Sequence, residues 1–286
     1  MVRINTCILT ISLALLGAIH PAQADDNSAA LEQAITARSA EDRARDGARH
    51  PGQTLAFFQL EPGMTVVEVL PGGGWYSHIL ANYLGKEGTL YGVNYADTMW
   101  PMFSFATPEW SAKRIAATAG FPDLVGDLSD SGIKAVGFTI DAVPPEVAGT
   151  VDRVLLIRAL HNLNRFEAKA GTRSQALSAV RGMLTDDGLV GVVQHRAPES
   201  ASDEWAEGNR GYLKQSAVIA MFEEAGFELV AESDINANPK DKPGAEDIVW
   251  RLPPSLRTSK DDPQLRAALL AIGESDRMTL LFRKAN

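Results

Sequence analysis

Val66-Val67-Glu68-Val69-Leu70-Pro71-Gly72-Gly73-Gly74-Trp75-Tyr76 reads VVEVLPGGGWY. An apolar run ends in an acid, a proline and three consecutive glycines, and two aromatic residues follow at once. Val66 to Leu70 is short, apolar and bounded by turn residues, which predicts a buried strand. Tyr76, Ile79, Leu80, Tyr83 and Leu84 then recur at helical spacing until Gly85 closes the turn. The unit is strand, glycine turn, helix. Gly72 and Gly74 let backbone approach a ligand with no Cβ in the way, and the amide-rich start of the helix faces the same side. A plain tight turn is the other reading of three glycines.

Outward from this unit the chain alternates. Strands are expected at Thr89 to Asn94, Ile133 to Asp141, Val151 to Leu160, Leu189 to His195, Phe227 to Ser233 and Met278 to Arg283. Between them lie a helix from Thr107-Pro108 toward Gly120, one that ends before the turn Asp186-Asp187-Gly188, and one at Gln215 to Ala225. Upstream, Ala37, Ala40, Ala44 and Ala48 share one face of a helix expected over Leu31 to Arg49, which His50-Pro51-Gly52 stops. Strands alternating with helices imply an α/β fold, a mostly parallel sheet covered on both faces.

In such a sheet ligands bind beyond the carboxyl ends of the strands. Those ends are polar here: Glu68 and the glycines, Asn94, Asp141, His161-Asn162, and Gln194-His195-Arg196. Each alone is explained as a turn former or cap. Five on one rim predict a binding edge.

The first 24 residues, MVRINTCILTISLALLGAIHPAQA, carry Arg3, an apolar stretch from Cys7 to Ile19 and the small-x-small end Ala22-Gln23-Ala24. That is the form of a cleavable secretory signal, with a periplasmic or secreted product and no membrane anchor left after cleavage. The apolar core is short for a spanning helix, which needs roughly 20 residues. Cys7 is the only cysteine, so the mature chain of 286 − 24 = 262 residues has neither a disulfide nor a thiolate metal site. Its net charge of −9 becomes −10 without Arg3, with acids and bases interspersed, which argues against nucleic acid as a partner. With no paired histidines at helical metal spacing, no metal is expected. Residues 25–54 read as an N-terminal helical extension and 55–286 as one domain. Within it 234–274, rich in proline, asparagine and charge, forms an insertion before the last strand.

The chain resembles the class I S-adenosylmethionine-dependent methyltransferases, whose first motif is acid-x-Gly-x-Gly-x-Gly. Glu68 stands at the acid and Gly72 and Gly74 at the second and third glycines, while Leu70 replaces the first. Asp141-Ala142 resembles the family's Asp-Ala pair beside the adenine, VDRVLLIRALHNL its fourth strand, and MLTDDGLVGVV the lead into its fifth. A closer resemblance, carried by PGGGWYS, VVQHRAP, INANPKD, WRLPPSLR and ESDRMTLLF, is to a little-characterised group of methyltransferase-like bacterial proteins, many of them exported. The resemblance implies a Rossmann-like, mostly parallel seven-stranded sheet with an antiparallel last strand and S-adenosyl-L-methionine as cofactor. It assigns the cofactor to Glu68, Gly72, Gly73, Gly74, Asn94, Asp141 and Ala142. Asn94 stands where the family favours an acid for the ribose hydroxyls, and Asn209-Arg210 where it has His-Arg.

Methyl transfer needs the two reactants held in line, and a base only when the nucleophile carries a proton. His161 and His195 are the candidate catalytic residues, because each ends a strand on the binding rim; a structural histidine bonded to backbone is the alternative. His50 and His78 read as structural. Trp75, Tyr76, Arg210, Asn236, Asn238 and Asp276 are candidates for the substrate wall. Trp75 has core packing as its alternative, and the insertion residues, with Asp241 and Arg277, an Asp/Arg network that pins the insertion down. The leading expectation is an exported methyltransferase acting on a small molecule. A periplasmic ligand-binding protein that keeps the fold, and a nicotinamide-dependent oxidoreductase disfavoured by Ser77, are the alternatives.

Overall fold

The computed structural model describes residues 21–285. The strands are β1 (Thr65–Val69), β2 (Thr89–Asn94), β3 (Lys134–Thr139), β4 (Val151–Ile157), β5 (Leu184–Ala197), β6 (Leu213–Lys214), β7 (Phe227–Ser233) and β8 (Arg277–Lys284). They form one sheet in the order β3-β2-β1-β4-β5-β8-β7, with β6 paired to the far end of β5. β1 to β5 run parallel, with Val67 opposite both Tyr91 and Val154. β8 runs antiparallel to β5 and β7, as the resemblance implies. Strand order reverses between β1 and β4, so the crevice for a ligand opens there.

The pleat sorts side chains into two apolar layers. Val67 and Val69 join Val154, Val190 and Phe222 on one face; Val66 joins Leu55, Phe58, Ile79 and Leu80 on the other. The helix Trp75–Leu84 covers the second layer, and its C-cap is Gly85. The helix Pro108–Ala119 starts on the Thr107 cap, whose side chain accepts from Trp110 N, and ends at Gly120, the bounds the sequence predicts.

Four local expectations are corrected. The single helix expected over Leu31 to Arg49 is three: Pro21–Thr36, Ala40–Arg43 and Asp46–Arg49. Ser39 caps the second by accepting from Asp42 N, and Arg38 bridges the break by donating to Asp46 at 2.7 Å. His50-Pro51-Gly52 stops one helix and starts the next, Pro51–Phe57: His50 is left-handed, at φ 43°, and Pro51 fits a first turn, where its missing N–H costs nothing. The boundary drawn between 54 and 55 falls inside this helix. β4 ends at Ile157, short of Leu160, because Arg158 turns to φ 59°. Asp186-Asp187-Gly188 is no terminal turn but an irregularity within β5, whose pairing with β4 passes from Val151–Leu184 to Arg153–Leu189. The sequence also left unassigned the helices Phe121–Leu128, Leu160–Arg165 and Pro263–Ile272.

Among the described residues no helix is long and apolar enough to cross a membrane. The expected leader lies largely outside the described residues. The expected cleavage point after Ala24 falls in the first turn of the helix that begins at Pro21.

Candidate functional site

The glycine turn hands β1 to the following helix at the reversal of the sheet. Leu70 takes φ 60°, in the left-handed region that glycine occupies freely, at a cost of roughly 1–2 kcal/mol. Gly72 follows at φ 62° and Gly74, the N-cap, at φ 80°. The three glycines differ in surroundings. A Cβ on Gly73 meets nothing within 4 Å and one on Gly72 only the Leu70 carbonyl oxygen at 3.9 Å, whereas one on Gly74 lands 2.5 Å from Leu128 Cδ1. Gly72 and Gly73 therefore form the open cradle, and Gly74 is tight against the helix Phe121–Leu128.

The turn opens into a cleft of about 700 Å³. Gly72, Gly73 and Gly74 form its floor, and Trp75, His161 and His195 also line it. A smaller cavity of about 230 Å³ shares Leu70, Pro71, Gly72, Trp100 and Arg114 with it and reaches Asn94. The fold therefore gathers the glycine turn, Asn94 and both histidines on one rim.

His161, at the start of the helix Leu160–Arg165, is buried, with Nδ1 3.3 Å from Gln194 Oε1, which also accepts from His161 N. Burial pushes its pKa down to about 4, against a smaller opposing effect from Gln194. His195 Nδ1 is 2.6 Å from Ser275 Oγ, and burial, His161 and Arg158 hold its pKa well below the usual imidazole range. Both rings are neutral at pH 7. Neither Nε2 has a hydrogen bond among the described residues, neither is sealed, and both residues line the cleft.

Other expected site residues stand elsewhere. Glu68 is buried under the turn with Oε2 accepting from Ser77 Oγ at 2.6 Å, and burial raises its pKa to about 8. Asn94 donates from Nδ2 to Thr118 Oγ1 at 3.0 Å. Asp141 and Ala142 lie exposed on the turn after β3, and neither lines the cleft or the smaller cavity. Trp75 lines the cleft as a pillar: its Nε1 donates to Asp42 O, and the guanidinium carbons of Arg38 and Arg49 each lie 4.7 Å from its ring centre. Tyr76 is buried edge-on against it. Arg210 lies away from the cleft, over Trp205 and 3.7 Å from Glu246, while its neighbour Asn209 lines the cleft. Asn236 is buried, donating to Thr54 and Thr279 hydroxyls; Asn238 donates to the Ile272 and Glu274 carbonyls. Asp276 holds Arg196 through two hydrogen bonds of 2.9 and 3.0 Å. These last three pin the insertion, the alternative reading of that segment. Among the described residues no three His, Cys, Asp or Glu side chains converge as a metal shell.

The residue the sequence reading missed is Arg158. It directly follows β4, lines the cleft, and makes no ion pair among the described residues. Burial first, and then the neighbouring charges of Arg49 and Arg277, push its pKa down to about 10. The one carboxylate that opposes them, Glu274, is held by both Arg49 and Arg277 at 3.1 Å. An arginine set directly behind an apolar run, in VLLIRAL, was the available signal, but that run reads as a strand continuing past it.

No protein-family model matches the chain, and no curated protein does. Solved structures do. The [4+2]-cyclase SpnF is similar with a TM-score of 0.52 and 14% identity, over 92% of this chain and 94% of that one. Geranyl diphosphate C-methyltransferase from Streptomyces coelicolor A3(2), solved with Mg2+, geranyl diphosphate and S-adenosyl-L-homocysteine, gives 0.50 and 10%, over 90% and 88%. A SAM-dependent methyltransferase from Aquifex aeolicus gives 0.46 and 15%, over 72% and 93%. Sheet order, the antiparallel β8 and the glycine turn at the reversal agree with this likeness, and the chain has the Rossmann-like fold of the class I methyltransferases.

Proposed function

We propose that this chain is an exported S-adenosylmethionine-dependent methyltransferase that acts on a small molecule. The observation that carries the reading is the open cradle at Gly72 and Gly73, set at the sheet reversal and continuous with a cleft that two neutral imidazoles enter. An adenosyl group fits there: backbone without Cβ on one side, the start of the helix Trp75–Leu84 ahead, and the Asn94 cavity for the sugar. Asn94 offers its Oδ1 to a hydroxyl while Thr118 holds its amide. The cofactor, when bound, supplies an electrophilic sulfonium methyl. The chain's own residues orient an acceptor, keep water out with the aromatic wall, and take a proton at Nε2 of His161 or His195 when the acceptor carries one.

One observation favours a binding protein that keeps the fold. Glu68 is turned to Ser77 and Asn94 is neutral, so neither strand end offers an ionised acid to the cofactor. Calorimetric titration of the parent protein with S-adenosylmethionine, S-adenosylhomocysteine and NAD separates the readings. Micromolar binding of the adenosyl ligands and none of NAD is expected; no affinity for any adenosyl ligand defeats the enzyme reading. Asp141→Ala tests the adenine assignment, since about 1–3 kcal/mol is lost if that carboxylate accepts from the ring amine. Export is read from the amino terminus of the soluble protein after expression in a Gram-negative host. A chain starting at Asp25 is expected, and one retaining Arg3 overturns it.

A further inference from the structure

The cleft has more positive charge than the chain neutralises. Arg45, Arg49, Arg114, Arg158, Arg165 and Arg257 line it, against Glu41 and Asp42. At its buried end the imbalance is sharper. The guanidiniums of Arg49, Arg158 and Arg277 share the single carboxylate of Glu274, which Arg49 and Arg277 occupy. Every other ionisable group there is neutral at pH 7: the Glu68 carboxyl, the Tyr76 phenol and both imidazoles. Arg158 is itself half-buried, and a guanidinium partly withdrawn from water without a counter-charge carries a desolvation cost that an anionic ligand offsets. The backbone reinforces the point, because Arg158 sits at φ 59°, where glycine or asparagine is at ease and arginine is not. A fold selected only for stability has no use for an unpaired arginine there.

The other lining is aromatic. Trp100 and Phe103 are stacked 6.2 Å apart on one wall, with the Arg165 guanidinium 5.5 Å from the Phe103 ring centre. Opposite His161, Trp250 presents its ring at 5.9 Å, with Arg257 over it at 5.6 Å.

We infer that the cleft takes a small aromatic acid, its anionic group seated on Arg158 and its flat body held by the walls of Trp100, Phe103 and Trp250. This rests on the methyltransferase reading for the role of acceptor, but the anion site stands on the geometry alone. In Arg–carboxylate pairing two parallel N–H···O bonds fix the acid's orientation, within the cleft that His161 and His195 also line.

The test is calorimetry on the whole protein with benzoate, acetate and benzyl alcohol, in the parent and in Arg158→Gly. Glycine relieves the backbone at that position, so the variant is expected to melt at the parent's temperature or above it. Arg158→Asn, which also tolerates positive φ, serves if the glycine variant does not fold. Benzoate is expected to bind roughly tenfold or more tighter than acetate and than benzyl alcohol, and to lose roughly tenfold or more in the variant. Equal affinity for benzoate and benzyl alcohol, or unchanged benzoate binding without Arg158, overturns the proposal.

A carboxylate on the methionyl end of the cofactor is the competing source of the anion. S-Adenosylhomocysteine carries that group and 5′-methylthioadenosine does not. The variant is expected to keep the parent's ratio of the two affinities; a collapse of that ratio gives Arg158 to the cofactor and overturns the proposal. Benzoate binding without adenosyl binding defeats the methyltransferase reading and leaves the anion site standing. Adenosyl binding without benzoate binding does the reverse.

Discussion

The rings of His161 and His195 stand 5.6 Å apart, tilted by 53°, and both are uncharged at neutral pH. Their folded pKa values lie below the ordinary imidazole value of 6.5, so the unfolded chain binds more protons as the pH falls through that value. Stability is therefore expected to be full above about pH 6.5 and to decline toward pH 4, by an amount on the order of 3 kcal/mol for His161 alone. Urea melts of parent and His161→Asn across that window check it: the variant's curve flattens. If His161 is the base, kcat/KM for an acceptor stays level down to about pH 5, because the acid limb follows the low folded value.

Glu68 has the opposite sign. Its folded pKa, about 8, lies above the unfolded one, so the native state holds the proton that the unfolded chain releases. Stability from this group is lost as the pH rises from about 4.5 to 8. Glu68→Gln keeps an acceptor for Ser77 and removes the proton linkage. The variant is expected to match the parent near pH 5 and exceed it at pH 9 by a few kcal/mol, on the order of the shift itself. Equal melting temperatures at pH 9 count against a buried, protonated Glu68.

The two glycines of the turn separate fold from binding. Gly73→Val projects into open space in the cradle and is expected to block adenosyl ligands while leaving the melting temperature within a few degrees. Gly74→Ala meets Leu128 at a φ of 80° and is expected to destabilise by about 1–3 kcal/mol. Circular-dichroism melts beside calorimetry on both variants test the contrast. A Gly73→Val protein that binds normally makes the turn structural.

Asp241 holds the insertion. Its side chain is fully buried, bonded to Arg251 at 2.8 Å, to the Tyr212 hydroxyl at 3.0 Å and to Asp276 N at 3.0 Å. Asp241→Ala leaves the Arg251 guanidinium with only the half-exposed Asp247. A loss of about 3–5 kcal/mol in urea denaturation is expected, with protease cutting within 234–274 as the early event. Arg196→Ala, whose partners are less buried, is expected to cost less.

Local signals made most of the fold readable. β2 and β7 fall on the residues the sequence marks, and so does the helix between Thr107 and Gly120, because turn residues, caps and apolar runs agree there. The alanine face over Leu31 to Arg49 misled, since the breaks at Ser39 and Arg45 answer to Arg38–Asp46 and Arg49–Glu274, contacts that periodicity does not carry. The same holds at the site. The glycine turn and His195 were legible from the strands that carry them, whereas His161 reaches the cleft from the helix after β4, beyond the strand end the sequence suggested. Arg158 was not legible, because its meaning depends on Arg49, Arg277 and Glu274 from both ends of the chain. The roles suggested for Asn236, Asn238 and Asp276 followed chain order, and their side chains are spent holding the insertion.

The wall that carries Arg45 and Arg49 precedes the glycine turn in the chain, and it is fastened to the segment at β8. Arg49 pairs with Glu274, and Arg277 donates to Ala48 O at 2.6 Å, across 225 and 229 residues of chain. No partly synthesised chain therefore owns the cleft. A chain shortened before Glu274 keeps the glycine turn but loses the contacts that fasten Arg49, the residue that covers Trp75. A cleft with both banks is therefore expected only in a chain that extends through β8.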